Sequence, residues 1–333
     1  MRCCVLCKFY GSYIYQQGWM SCCDSRCSSS SDRLRRLSSV HLDSTIDPEL
    51  RAIDFEGLAR VANQVERSED AVQYMIDAAT RRFEANSDVA FKKQDRVLFA
   101  KALKEFVNPQ RAALRTLTLL FVNNTNTRSP DNHQEVTLEY TKCKIDSLVN
   151  TCLHIISVVK DTFLPLADCA ESRVFFNKLA GDHSRYLCEI PTLKGYKYVP
   201  FEKERARAIA DTEAFYQVAF DESQCDLSPT HPLRLSLVLN FSIFYFEIRK
   251  DKDKAHAFAK SAYDDAMAEL GADFSSLLQD PSGGEQSNEA SHSGNDGEGG
   301  LGASQVLSSG GSQELETARV MRIIKSSLSR WAV

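Results

Sequence analysis

"PELRAIDFEGLARVANQVERSEDAVQYMIDAATRRF", Pro48 to Phe83, places apolar residues at Leu50, Ile53, Leu58, Val61, Val65, Val72, Met75 and Ile76. The steps are mostly three, four or seven residues, the period of one face of an amphipathic helix. We read a helix pair here. Ser68, with Glu69 and Asp70 next in the chain, is expected to cap the second helix, because free N–H groups and the positive dipole end favour oxygen and acid. An apolar helix is expected from Pro232 to Arg249, with Thr230 before it and proline tolerated in its first turn. β-alternation is scarce throughout, so the expected fold is all-α.

Composition sets the outer bounds. A chain of 333 residues with 43% hydrophobic and 26% charged side chains has the make-up of a globular protein with a buried core. Its longest apolar runs, such as "LSLVLNFSIFYF" from Leu235 to Phe246, fall short of the roughly 18–20 residues a bilayer span needs. A net charge of −5 offers no broad basic footprint, which argues against nucleic acid as a general partner. Any anion site must then be a local pocket. The chain start shows no charged region followed by a clean apolar one, and we expect an intracellular, cytoplasmic protein.

Three regions differ in composition. Residues 1–46 are rich in Cys, Ser and Arg, with a charge balance of +3, and read as a flexible extension. Residues 47–270 alternate helical patterns with short connectors, the one long connector being "PTLKGYKYVPF", Pro191 to Phe201. The segment 271–313 holds ten of the fifteen glycines, six acids and no Lys or Arg, so it is expected to be a disordered acidic insertion. A last helix is expected within 314–333. Cys143, Cys152, Cys169, Cys188 and Cys225 fall singly in helical patterns and read as small core residues.

Local chemistry gathers on three segments. In "RVLFAKALKEFVNPQRAALRTL", Lys104, Arg111 and Arg115 fall seven and four residues apart, one stripe of a helix that continues through Pro109. A stripe of this kind is equally a solvated basic face. In "GDHSRYLCEI", Gly181 to Ile190, an Arg185–Tyr186 pair sits among small and apolar residues, with Lys178 just before it. Asn240, Ile243 and Glu247 share a face of the apolar helix at i, i+3 and i+7, and Glu247 interrupts a greasy stripe. An acid there is costly unless paired, so an ion pair to a neighbouring Lys or Arg is its plainest role.

"GDHSRYLCEI", "SPTHPLRLSLVLNFSIFYFEI" (Ser228 to Ile248) and "SAYDDAMAEL" (Ser261 to Leu270) closely resemble segments of 14-3-3 proteins. "RVLFAKALKEF" is similar to that family's first signature region, and "ETARVMRIIKSSLSRW" (Glu316 to Trp331) is a looser match to its last helix. The resemblance covers about 47–270 and 314–331. It implies nine antiparallel helices in a cup with an amphipathic groove, and a non-enzymatic adaptor that binds phosphoserine or phosphothreonine in client proteins.

Carried over residue by residue, the resemblance assigns a phosphate cradle to Lys104, Arg111, Arg185 and Tyr186. A phosphoserine brings about −1.5 to −2 charges and three acceptor oxygens, which two guanidinium forks, an ammonium and a phenol suit. The resemblance also implies that Asn240 reads the ligand backbone, that Glu247 lies nearby, and that Lys178, Leu239, Ile243 and Ser327 belong to the peptide groove. Ser327 stands where the family has an asparagine, and Arg319 where the groove wall is usually leucine. A homo- or heterodimer is implied, with interface candidates Val61, Val65, Arg67, Asp70 and Tyr140. The positions of the usual ion-pair partners of Arg67 and Asp70 correspond to Ser147 and Cys143. The alternative reading is an all-α scaffold of the same fold whose weakened groove binds partners without phosphate.

The N-terminal cysteines Cys3, Cys4, Cys7, Cys22, Cys23 and Cys27 leave three readings open: an extension of no fixed role, acylation giving a membrane tether, or a zinc site from Cys4-x2-Cys7 and Cys23-x3-Cys27. "RLRRLSS", Arg33 to Ser39, suits phosphorylation at Ser38 or Ser39 by a basophilic kinase. The phosphorylated arm would then compete for the protein's own groove at high effective concentration. The seven histidines show no metal-ligand spacing, and no phosphate loop or nucleophile elbow is visible. Neither a cofactor nor an enzymatic activity is expected.

Overall fold

The computed structural model describes residues 53–86, 89–126, 133–190, 199–271 and 313–331. Nine α-helices and no strands occur among them: α1 Phe55–Gln64, α2 Ser68–Glu84, α3 Lys93–Asn126, α4 His133–Val158, α5 Ala170–Cys188, α6 Val199–Asp226, α7 Pro232–Phe244, α8 Lys252–Leu270 and α9 Gln313–Trp331. The expected all-α class is what the chain adopts. The cysteine-rich extension, Ser38 and Ser39, and nearly all of the acidic insertion lie outside the described residues.

Helices α1 and α2 close on small residues. Ala59 and Ala62 of one, and Ala71, Ala78 and Ala79 of the other, are buried and let the backbones approach. The stripe read from the sequence divides between two environments. Val72, Met75 and Ile76 enter the core, whereas Leu58, Val61 and Val65 remain exposed. Ser68 is not the cap: Arg67 occupies that position, and no side chain bonds the free amides of α2. The acids at Glu69 and Asp70 still face the positive end of the helix dipole.

The long α3 runs straight through Pro109, as the cation stripe requires. Pro109 is exposed, where water can satisfy the carbonyl that a proline leaves without its N–H partner. At the far end of α4 a π-helical turn, Val159–Phe163, delivers Phe163 into the core. Its ring lies 4.7 Å from that of Phe99 and 5.1 Å from those of Phe91 and Phe176, tying α3, α4 and α5 together.

Helix α5 is the central element. It is buried without a break from Lys178 to Cys188, polar residues included, so the packing of its neighbours and not an apolar stripe holds it. Helix α7 starts with Pro232 in the first turn as expected, but the cap is His231, whose Nδ1 accepts the Leu233 N–H at 3.2 Å, and not Thr230. It leaves α geometry at Tyr245–Arg249, a second π turn, and stops at Lys250 with φ 60°. Asp251 caps α8 by accepting the Lys254 N–H at 3.0 Å.

Helix α9 packs on α7 and α8 through a separate cluster of Leu235, Leu239, Ala259, Ala266, Ala318, Val320, Met321 and Ile324. A segment more than forty residues on in the chain is thereby joined to the helical body. Only two of the five scattered cysteines are core residues. Cys152 and Cys188 are buried, while Cys143, Cys169 and Cys225 are exposed, a correction that helical period alone could not supply.

Candidate functional site

The i, i+4 spacing of α5 builds the site's frame. Lys178 reaches Asp182 at 2.7 Å one turn on, and Arg185 reaches Glu189 just past the helix end. Three helices then converge on Asp182. Tyr216 of α6 donates its O–H to Asp182 Oδ1 at 2.6 Å, and Asn240 of α7 donates through Nδ2 to the same oxygen at 2.5 Å. Tyr216 also accepts the Arg185 Nε–H at 3.2 Å, so phenol, acid and guanidinium form one chain of bonds. Gly181 makes the approach possible: a Cβ there would meet the Tyr216 ring at 2.6 Å.

Arg111 comes from α3 to the same place. It donates to Glu189 from one side while Arg185 donates from the other, so a single carboxylate braces both guanidinium groups. Asn108 holds the other Arg111 nitrogen at 3.2 Å, and the Arg111 Cζ sits 3.8 Å from the centre of the Tyr186 ring. The Arg185 Cζ lies 5.1 Å from that ring. Among the described residues each guanidinium uses two of its five N–H groups, and the Tyr186 hydroxyl forms no hydrogen bond.

The electrostatics follow from burial opposed by pairing. Burial alone would raise the pKa of Asp182, but the Lys178 and Arg185 charges and the bonds from Lys178 and Tyr216 outweigh it and hold it low. Glu189 is likewise held low, since Arg185 and Arg111 overcome its desolvation. Desolvation works against the charge of Arg185, yet Glu189 and the tyrosines raise its pKa well above the ordinary value. Burial pushes Tyr186 up to about 12, which keeps it a donor. The site is a set of permanently charged donors fixed in position before any ligand arrives.

The remaining sequence-derived residues fall around this centre. Asn240 is fully buried, and its Oδ1 has no partner in the structure. Lys104 is half-buried two turns before Arg111, and its pKa is lowered by burial and then by the Arg319 charge. Lys178 is buried against Asp182 and fixes that acid. Leu239 has no exposed surface and lies within the α7–α8–α9 cluster, whereas Ile243 is half-buried at its edge. Ser327 is 1% exposed on α9, with only a long contact from Arg330 at 3.5 Å.

Glu247 departs from the expected pattern. The π turn carries it out of the α register shared by Asn240 and Ile243, and it stands exposed without an ion pair among the described residues. Desolvation by the surrounding helices and the Glu189 charge raise its pKa. The sequence reading overlooked Asp182, Glu189 and Tyr216. The two acids carried a signal, since each stands four residues after a basic residue of the quoted stretch. Tyr216, on another helix, carried none.

A second face gathers the dimer candidates. Val61, Val65 and Tyr140 are 56%, 61% and 53% exposed. Arg67 and Asp70 pair with each other at 2.9 Å on the exposed start of α2. Residues 58–279 match the family model described as 14-3-3 protein. The chain is 36% identical over 214 residues to "14-3-3 protein 3" of Entamoeba histolytica, covering 64% of this chain and 82% of that protein. It is 38% identical over 216 residues to "14-3-3 family protein artA" of Aspergillus flavus, covering 64% and 83%, and 35% identical over 213 residues to "14-3-3-like protein B" of Glycine max, covering 64% and 81%.

Proposed function

The chain belongs to the 14-3-3 family of non-enzymatic adaptors, and on that premise we propose that it is a cytoplasmic adaptor whose binding of client proteins depends on phosphoserine or phosphothreonine. One observation carries the reading. Arg111 and Arg185, from different helices, are braced on the Glu189 carboxylate with N–H groups to spare beside the unbonded Tyr186 hydroxyl. A dianionic phosphate can take bidentate bonds from both forks and accept the tyrosine O–H, with Lys104 adding a point charge. Such charge-assisted bonds are worth roughly 1.5–3 kcal/mol each, enough to make affinity depend on the phosphate.

The unpartnered Asn240 Oδ1 supports a role in accepting a main-chain N–H of the bound peptide, which would relieve a buried acceptor. Ile243 would contribute apolar wall, with Leu239 packed behind it. Dimer formation is implied by the family, and Val61, Val65 and Tyr140 offer the apolar surface for it. The buried, short side chain of Ser327 favours the second reading, a scaffold with phosphate-independent binding. Titrating the full chain with paired phosphorylated and unphosphorylated serine peptides separates the two. Phosphorylation should tighten binding at least about tenfold, a difference of about 1.4 kcal/mol, and Arg185→Ala that keeps its helical circular dichroism should lose that gain. Equal affinity for both peptides would rule out the phosphate-dependent adaptor.

A further inference from the structure

Lys104 and Arg319 bring like charges toward one another from helices far apart in the chain. Lys104 is half-buried on α3 and forms no ion pair among the described residues; the adjacent acid, Glu105, is engaged by Lys101 at 3.7 Å. Arg319 is exposed on α9, standing over Ala318, Val320 and Met321, which are buried in the cluster beneath it. The starts of the two helices meet at a small hollow lined by Lys93, Arg96 and Val97 of α3, Leu233 of α7 and Glu316 of α9. Lys104 lies two turns on from Val97, and Arg319 one turn on from Glu316.

Two cations held together in this way repel, and the Arg319 charge, after burial, is what lowers the pKa of Lys104. Glu316 does little to cancel the pair, because it interacts more with Lys93 than with Arg319. An anion seated between them converts that repulsion into attraction on both sides. Lys104 and Arg111 are about 10.5 Å apart along the helix axis, seven residues at about 1.5 Å each. An extended peptide covers that distance in about three residues.

We propose that Lys104 and Arg319 form a second anion subsite beside the Arg111–Arg185 cradle, selecting phosphopeptides that carry an acidic side chain about three residues from the phosphorylated one. The subsite rests on the phosphopeptide reading above. Arg319, at a position where the family resemblance implies leucine, would make this preference a property of this chain.

Fluorescence anisotropy on the full chain at about 0.15 M salt tests it with phosphoserine peptides bearing Glu three residues before the phosphoserine, Glu three residues after it, or Ala at both places. Unphosphorylated versions of each are the control. One Glu peptide should bind about fivefold tighter than the Ala peptide, the scale of a partly screened ion pair. Arg319→Leu should bring that ratio to about one while leaving the Ala phosphopeptide within about twofold, and Arg319→Lys should retain it. Two Glu peptides no tighter than the Ala peptide, or an advantage that survives Arg319→Leu, would overturn the subsite. If no phosphopeptide exceeds its unphosphorylated form, the phosphate reading itself falls and the subsite falls with it.

Discussion

The ring of Tyr216 lies flat against the backbone of Gly181, so near that a single added methyl would sit 2.6 Å from two ring carbons. That contact lets one phenol hold both Asp182 and Arg185. Gly181→Ala should therefore act on fold and site together. Overpacking of this kind costs about 1–3 kcal/mol, and the Tm should drop by several degrees in thermal circular dichroism. A melt superimposable on that of the wild type would mean that Tyr216 can shift without loss.

Breaking the hub from the other side should cost more. Asp182→Ala strands Lys178 in the core and removes the acceptor of Tyr216 and Asn240. Loss of one partner of a buried pair costs about 3–5 kcal/mol. The urea midpoint should fall accordingly. Lys178→Met with Asp182→Ala should recover part of the loss, because no charge then remains unpaired; a double variant as unstable as the single one would contradict the pairing.

Acid sensitivity should start above the carboxylate range. His183 donates Nδ1–H to Leu179 O at 2.8 Å, its Nε2 has no partner, and burial pushes its pKa down to about 4. Burial lowers His154 and His231 as well. As pH falls from about 6.5 toward 4, the unfolded chain binds protons that the folded one refuses, so stability falls with pH. His183 alone accounts for about 2 kcal/mol by pH 5. Asp182 and Glu189, both held low, add to the loss only below the ordinary carboxylate range. A urea midpoint unchanged between pH 7 and pH 5 would contradict this assignment.

The exposed apolar face gives a test of assembly. Val61→Asp with Val65→Asp alters residues that are 56% and 61% exposed in one protomer, so each protomer should keep its fold. Light scattering should show the wild type as a dimer and the double variant shifted to monomer. Persistence of the dimer would move the interface elsewhere.

Thiol accessibility should divide the helical cysteines. Cys143, Cys169 and Cys225 should label rapidly with an alkylating reagent at pH 8. Cys152 and Cys188, pushed up to about 12 and about 11 by burial, should label only on unfolding, since the thiolate is the nucleophile. Peptide mapping by mass spectrometry assigns each site, and early labelling of Cys152 would show that the core around it opens.

Legibility in the sequence followed the range of the interactions. Helical period over Pro48 to Phe83 and through Pro232 to Arg249 was local, so the all-α class could be read directly. The cations Lys104, Arg111 and Arg185 could be named for the same reason, because residue type and spacing are properties of one segment. The Ser68 and Thr230 caps failed: a cap depends on the path by which the chain enters the helix, and Arg67 and His231 hold those positions. Cys143, Cys169 and Cys225 failed because period places a residue on a face without saying what covers that face.

The sequence by itself determined helices, their approximate order, and the basic residues able to meet a phosphate. Only tertiary structure decided that Arg111 and Arg185 share Glu189, that Tyr216 and Asn240 converge on Asp182, and that Arg319 stands near Lys104. The reason is physical. A charge or hydrogen-bond donor is written into one residue, whereas its energy is set by the dielectric and by partners that the packing of α3, α5, α6, α7 and α9 brings together.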